Sequence, residues 1–128
     1  MWSTENIMVK IIALAALSAL ALSTGAASAC SVPYIRTLDN QAVDGTMTVR
    51  SGKNCSIVLR RSSGPTYTAR IVQRATNGSV HIDGSNRIVY KSRPGYVGGD
   101  TFVYARDGLD TRNNRVTRTV RIAVRVRP

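Results

Sequence analysis

The stretch Asn77–Gly108, NGSVHIDGSNRIVYKSRPGYVGGDTFVYARDG, decides the fold. Val80 and Ile82 alternate with Ser79, His81 and Asp83, and Ile88 and Tyr90 continue the apolar set after a break at Asp83-Gly84-Ser85-Asn86. Phe102 and Tyr104 repeat the same spacing. A period of two places every second side chain on one face, the signature of half-buried strands. Asn77-Gly78 is a strong hairpin signal, and Pro94, which cannot donate to a ladder, ends the second strand.

The same pattern continues on both sides. Upstream, Met47 and Val49 alternate with Thr46, Thr48 and Arg50, and the Asp44-Gly45 and Ser51–Asn54 turns bracket them. Cys55, Ile57 and Leu59 form the next inward set, then Tyr67, Ala69 and Ile71 after a loop at residues 61–65. The segment from Ser31 to Val43 is a lead-in with one short strand expected around Tyr34–Leu38. Downstream, Val116, Val120, Ile122, Val124 and Val126 share one face of a long last strand. Arg118 interrupts that series and predicts a bulge or an edge there. No helical period follows residue 30. About seven short strands separated by turn residues predict an all-β sandwich or barrel.

The beginning of the chain reads differently. Lys10, an apolar and small-residue run from Ile11 to Leu22, and Ala27-Ser28-Ala29 before Cys30 spell a secretory signal peptide over residues 1–29. The run is shorter than the roughly 20 apolar residues a membrane span needs. Translation from Met8 instead of Met1 gives the more regular leader, because Glu5 would sit in its basic region. Residues 30–128 then form one domain, secreted or periplasmic, with no membrane span. Two cysteines in an exported chain predict a Cys30–Cys55 disulfide. The alternative, lipidation of Cys30 to make an outer-membrane lipoprotein, lacks the usual leucine upstream and would strand Cys55.

The ordered motif Asn77-Gly78-Ser79-Val80, Tyr90, Pro94-Gly95-Tyr96, Gly98, Asp100, Phe102, Tyr104, Asp107-Gly108 resembles the bacterial immunoglobulin-like and cadherin-like repeats of surface and adhesin proteins. Those repeats read NG-T-V-x-Y-x-P-x-x-G-F-x-G-x-D-S-F-x-Y-x-x-x-D-G and end in an alternating Thr/Val strand, matched here by Thr117–Val126. The resemblance implies an immunoglobulin-like antiparallel β-sandwich of about seven strands and an adhesive or binding role. It also implies that the motif residues serve the fold: the aromatics as core, the glycines as a corner for Tyr96, Asp100 as an acceptor for backbone N–H groups in that corner. The family's acidic calcium loop is replaced by Arg60-Arg61-Ser62-Ser63-Gly64-Pro65, so no metal or other cofactor is expected.

The remaining chemistry is sparse. His81 is the only histidine and stands with Asp83 on one outward strand face, too few ligands for zinc. After the leader the carboxylates are all aspartates in or beside turns, where backbone reasons explain them. No nucleophile, base and oxyanion pocket converge, so an enzyme is not expected. The net charge is +11, carried mostly by arginine. Arg60, Arg70, Arg74, Arg87, Arg121, Arg125 and Arg127 all fall on outward positions, with Arg115 extending the last row. Their forked guanidiniums suit phosphate, sulfate and carboxylate groups. Anionic polysaccharide or lipopolysaccharide is the expected partner, with non-specific nucleic acid or a cell-surface protein as alternatives. A solvated, edge-protecting face explains the same residues. The competing role is a structural envelope or appendage subunit that assembles by pairing its last strand.

Overall fold

A computed structural model describes residues 29–59 and 66–128. Residues 1–28, which hold the expected signal peptide except Ala29, and residues 60–65, Arg60 among them, lie outside the described residues. The described residues are all-β: β1 (Cys30–Ser31), β2 (Ala42–Arg50), β3 (Asn54–Val58), β4 (Thr66–Gln73), β5 (Gly78–Asp83), β6 (Arg87–Ser92), β7 (Gly98–Leu109) and β8 (Arg115–Arg127). They form a five-stranded sheet ordered β1-β2-β8-β7-β4 and a three-stranded sheet ordered β3-β6-β5. The long β8 is central, pairing parallel to β2 and antiparallel to β7.

The alternation read from the sequence fills the space between the sheets. Met47, Val49, Phe102, Tyr104, Val120, Ile122, Val124 and Val126 from the larger sheet meet Cys55, Ile57, Ile88 and Tyr90 from the smaller. Tyr90 and Phe102 stack across the sheets with ring centroids 5.7 Å apart and planes 9° from parallel. Rings of that size dominate the apolar area a small domain can bury. Burial pushes the Tyr104 phenol up to about 12. Cys30 on β1 and Cys55 on β3 are bridged, with Cα atoms 5.5 Å apart, so the disulfide fastens one sheet to the other. With its sulfur in the bridge, Cys30 has none left for a lipid thioether.

Besides Asp44-Gly45, which lies inside β2 in unbroken register with β8 and is not a turn, four expectations change. Asn77-Gly78 does not close a hairpin: β4 pairs with β7 and β5 with β6, so these residues cross between sheets. Asp100 takes the N–H groups of Thr76 and Asn77, each at 3.0 Å, which diverts them from any ladder. Gly78 is required for close approach instead, since a Cβ there would lie 2.5 Å from the Lys91 carbonyl oxygen. Asp100 therefore serves the β4–β5 crossing and not the Pro94–Gly95 corner. Second, Arg118 marks neither a bulge nor an edge. The β7–β8 register runs unbroken through Arg106↔Arg118, and Arg118 keeps the inward alternation at 2 % exposure.

Third, Tyr34–Leu38 is not a strand. Residues 32–41 run irregularly across the open side of the sandwich from β1 back to β2. Ile35 fills the space left by Gly45, with its Cδ1 2.8 Å from where a Cβ would sit. Asn40 and Gln41 then fasten the segment to β8: Asn40 N–H donates to the Thr117 carbonyl at 2.8 Å, and Thr119 N–H to that of Gln41 at 3.2 Å. Fourth, β8 has neighbours on both sides and offers no edge for assembly.

Candidate polyanion-binding face

The outward side of the five-stranded sheet carries a group of arginines: Arg50, Arg70, Arg115, Arg121, Arg125 and Arg127. Because β8 alternates Val or Ile inward with polar residues outward, Arg115, Arg121, Arg125 and Arg127 project to solvent. The parallel register of β2 lays Asp44 beside Arg121, Thr46 beside Ala123, Thr48 beside Arg125 and Arg50 beside Arg127. On the other flank β7 sets Val103 beside Arg121 and Gly99 beside Arg125. Neighbouring strands lie about 4.8 Å apart, and successive same-face residues about 6.5–7 Å apart.

This face divides into two parts by charge. Toward the β7–β8 hairpin Arg121 and Arg70 are neutralised, whereas Arg115 at the start of β8 has no carboxylate partner among the described ion pairs. Arg121 Nε donates to Asp44 Oδ1 at 2.9 Å, which raises its already high pKa. Arg70 Nε donates to Asp107 Oδ2 at 3.0 Å, while the Thr117 and Thr68 hydroxyls donate to the same carboxylate at 2.7 and 3.4 Å. The Thr117 bond first, and then Arg70, hold the Asp107 carboxyl below the ordinary carboxylate value. At the far end Arg50, Arg125 and Arg127 are exposed: Arg125 lies between Thr48 and Gly99, and Arg50 and Arg127 stand opposite each other. Among the described residues no carboxylate pairs with any of these three. Flexible guanidiniums flanked by a hydroxyl and an uncovered glycine leave room for a flat anionic chain.

The arginines singled out in the sequence do not gather on one face. Arg70, Arg121, Arg125 and Arg127 share the large sheet, but ion pairs occupy two of them. Arg74 is exposed just past the end of β4, and Arg87 lies on the smaller sheet opposite Asp83 and Val58. Arg60 lies outside the described residues. Arg50 completes the unneutralised cluster and was missed, because only the parallel β2–β8 register brings it to Arg127. Parity along β2 marks it as outward but names no neighbour.

Two of the described arginines are buried. Arg106 and Arg118 face each other across β7 and β8 on the inward side, 8 % and 2 % exposed. Arg118 Nε donates to Asp39 Oδ1 at 2.8 Å. Burial lowers the Arg106 pKa, and the nearby Arg118 charge adds to that. Strand parity could have found both, since each falls on an inward position of its alternation.

His81 and Asp83 are exposed on β5, and among the described residues no group of three potential metal ligands comes together. Among the described residues, no helix is long and apolar enough to cross a membrane. No protein-family model matches the chain, and no curated protein matches it.

Proposed function

We propose that the protein is a secreted or periplasmic immunoglobulin-like module, non-catalytic, that binds anionic cell-surface polymers such as acidic glycans or lipopolysaccharide. The observation that carries the reading is the exposed cluster Arg50, Arg125 and Arg127, which no carboxylate neutralises among the described residues. A net charge of +11 would draw a polyanion toward this end and would keep copies of the protein apart. The disulfide suits an oxidising compartment. The immunoglobulin-like reading is supported by the order β2-β8-β7-β4 facing β3-β6-β5, with a first long strand parallel to the last.

The test is retention on immobilised acidic polysaccharide, lipopolysaccharide and duplex DNA across a salt gradient. Retention near 0.01 M salt is expected, where screening extends over about 30 Å, and it should fade toward 1 M. Changing Arg50, Arg125 and Arg127 together to alanine should move elution to much lower salt, whereas Arg74→Ala and Arg87→Ala should barely shift it. Flow-through of the unmodified protein at low salt on every matrix would refute the reading. Retention on DNA alone would replace glycan with nucleic acid as the partner.

A further inference from the structure

A cleft of about 940 Å³ opens on the side of the sandwich, between the irregular segment 32–41 and the outer edge of β3. That is the upper range for ligand pockets, roughly 300–1,000 Å³, and more than one side chain requires. Its lining is mixed, with exposed apolar side chains set among polar and charged ones. Tyr34, Leu38 and Val58 line it and are 81 %, 42 % and 53 % exposed, three of the five exposed large hydrophobic side chains among the described residues.

The backbone of β3 is turned toward the same cleft. Leu59 N–H donates to the Asn86 carbonyl at 2.7 Å, one step beyond the Val58↔Arg87 register. Hydrogen-bonded and non-bonded pairs alternate along an antiparallel ladder. Ile57 and Cys55 therefore exchange bonds with β6, whereas the N–H and C=O of Ser56 and Val58 point away from it. Among the described residues no backbone hydrogen bond reaches Ser56 or Val58 from the cleft side. Protein edges are usually blunted by bulges, proline or charge. The β4 edge carries two register shifts, but β3 pairs in unbroken register and contains no charged residue or proline.

We infer that this cleft is a docking site for an extended, acidic segment of a partner protein, which adds to the three-stranded sheet as a fourth strand beside β3. Main-chain bonds to Ser56 and Val58 supply the affinity, and alternate apolar side chains cover Tyr34, Leu38 and Val58. Charge selects the occupant. Arg36 lines the cleft at an exposed position, and the cleft's carboxylate, Asp39, is committed to Arg118. A second copy of the chain, itself at +11, is disfavoured by the same balance. The inference does not rest on the arginine face.

The experiment is a titration of isotope-labelled protein with a capped eight-residue peptide alternating valine and aspartate, followed by amide shifts and hydrogen exchange. A valine–lysine peptide of equal length is the control. The acidic peptide should shift the Ser56 and Val58 amides and slow their exchange at least about tenfold. Val58→Pro removes the outward donor without costing a bond to β6, and should weaken binding about tenfold or more. Val58→Asp, at an exposed position and therefore tolerated by the fold, should weaken it similarly through repulsion. Changing Arg50, Arg125 and Arg127 to alanine should leave it unchanged. Shifts confined to the arginine face, equal binding of the lysine peptide, or protection at Ser56 and Val58 that grows with protein concentration alone would each overturn the inference.

Discussion

Tyr90 on β6 donates its hydroxyl to Asp100 on β7, Oη to Oδ2 at 2.9 Å, and this bond joins the two sheets beneath the core. Asp100 is 8 % exposed and also accepts from Thr76, Asn77 and its neighbour Thr101. Burial first, then the bond to Asp100, pushes the Tyr90 phenol well above the ordinary tyrosine range, so the hydroxyl remains a donor. Asp100→Ala would leave these donors unsatisfied and is expected to cost roughly 3–5 kcal/mol in urea unfolding. Tyr90→Phe should cost about 1.5–3 kcal/mol, the range for one bond to a charged acceptor. Asp100→Asn should fall below the alanine cost, because the amide keeps one accepting oxygen where alanine has none.

Arg118 is buried and Asp39, its partner, is half exposed. Removing the carboxylate leaves a buried guanidinium without it, so Asp39→Ala should destabilise by about 3 kcal/mol. Replacing both, Asp39→Ala with Arg118→Leu, should recover most of that loss, since the charge that needed compensation is gone. Denaturation midpoints of the single and double variants measure the coupling.

The Cys30–Cys55 bridge closes a loop of 25 residues. Chain-entropy arguments assign such a loop about 3.5 kcal/mol. Chemical denaturation with and without reductant should differ by about that amount, and the intact mass of the native protein should be two hydrogens short of the reduced one.

Asp107 sets part of the acid limit. Its carboxyl titrates lower in the folded chain than in the unfolded one. The unfolded state therefore binds a proton more readily as acid is added. The stabilisation is fully present above the unfolded value near 3.9 and is lost as pH falls through the lower folded value. Asp107→Asn should flatten the decline of the urea midpoint below about pH 4. At 37 % exposure the Asp107 side chain is screened by water, so the change should be small compared with the Asp100 variants.

The inward residues were legible in the sequence because alternation is a local property. Met47, Val49, Ile88, Tyr90, Phe102 and Val120 could be placed without knowing which strands touch. Pairing was less legible. Asn77-Gly78 carries the composition of a hairpin, yet the acceptor that redirects it, Asp100, lies 23 residues downstream. Arg118 was misread because a charge on the apolar face implies a defect unless its partner is known, and Asp39 is 79 residues away. The unneutralised cluster was half legible: β8 supplies Arg125 and Arg127 on parity alone, but Arg50 joins them only through a parallel pairing that no local pattern announces.

The two ends of the described fold meet at one place. The Ala29 carbonyl accepts from Arg50 N–H at 3.0 Å, and the Arg127 carbonyl from Ser51 N–H at 2.7 Å. Anything joined directly at Ala29 or just after Arg127, whether an affinity tag, a fluorophore or a solid support, would emerge beside Arg50 and Arg127 and shade them. The Asp110–Asn114 turn lies at the opposite tip, roughly 40 Å along β8. A handle placed in that turn would present the arginine end outward, so the point of immobilisation alone can decide whether a binding measurement reports a ligand or a blocked surface.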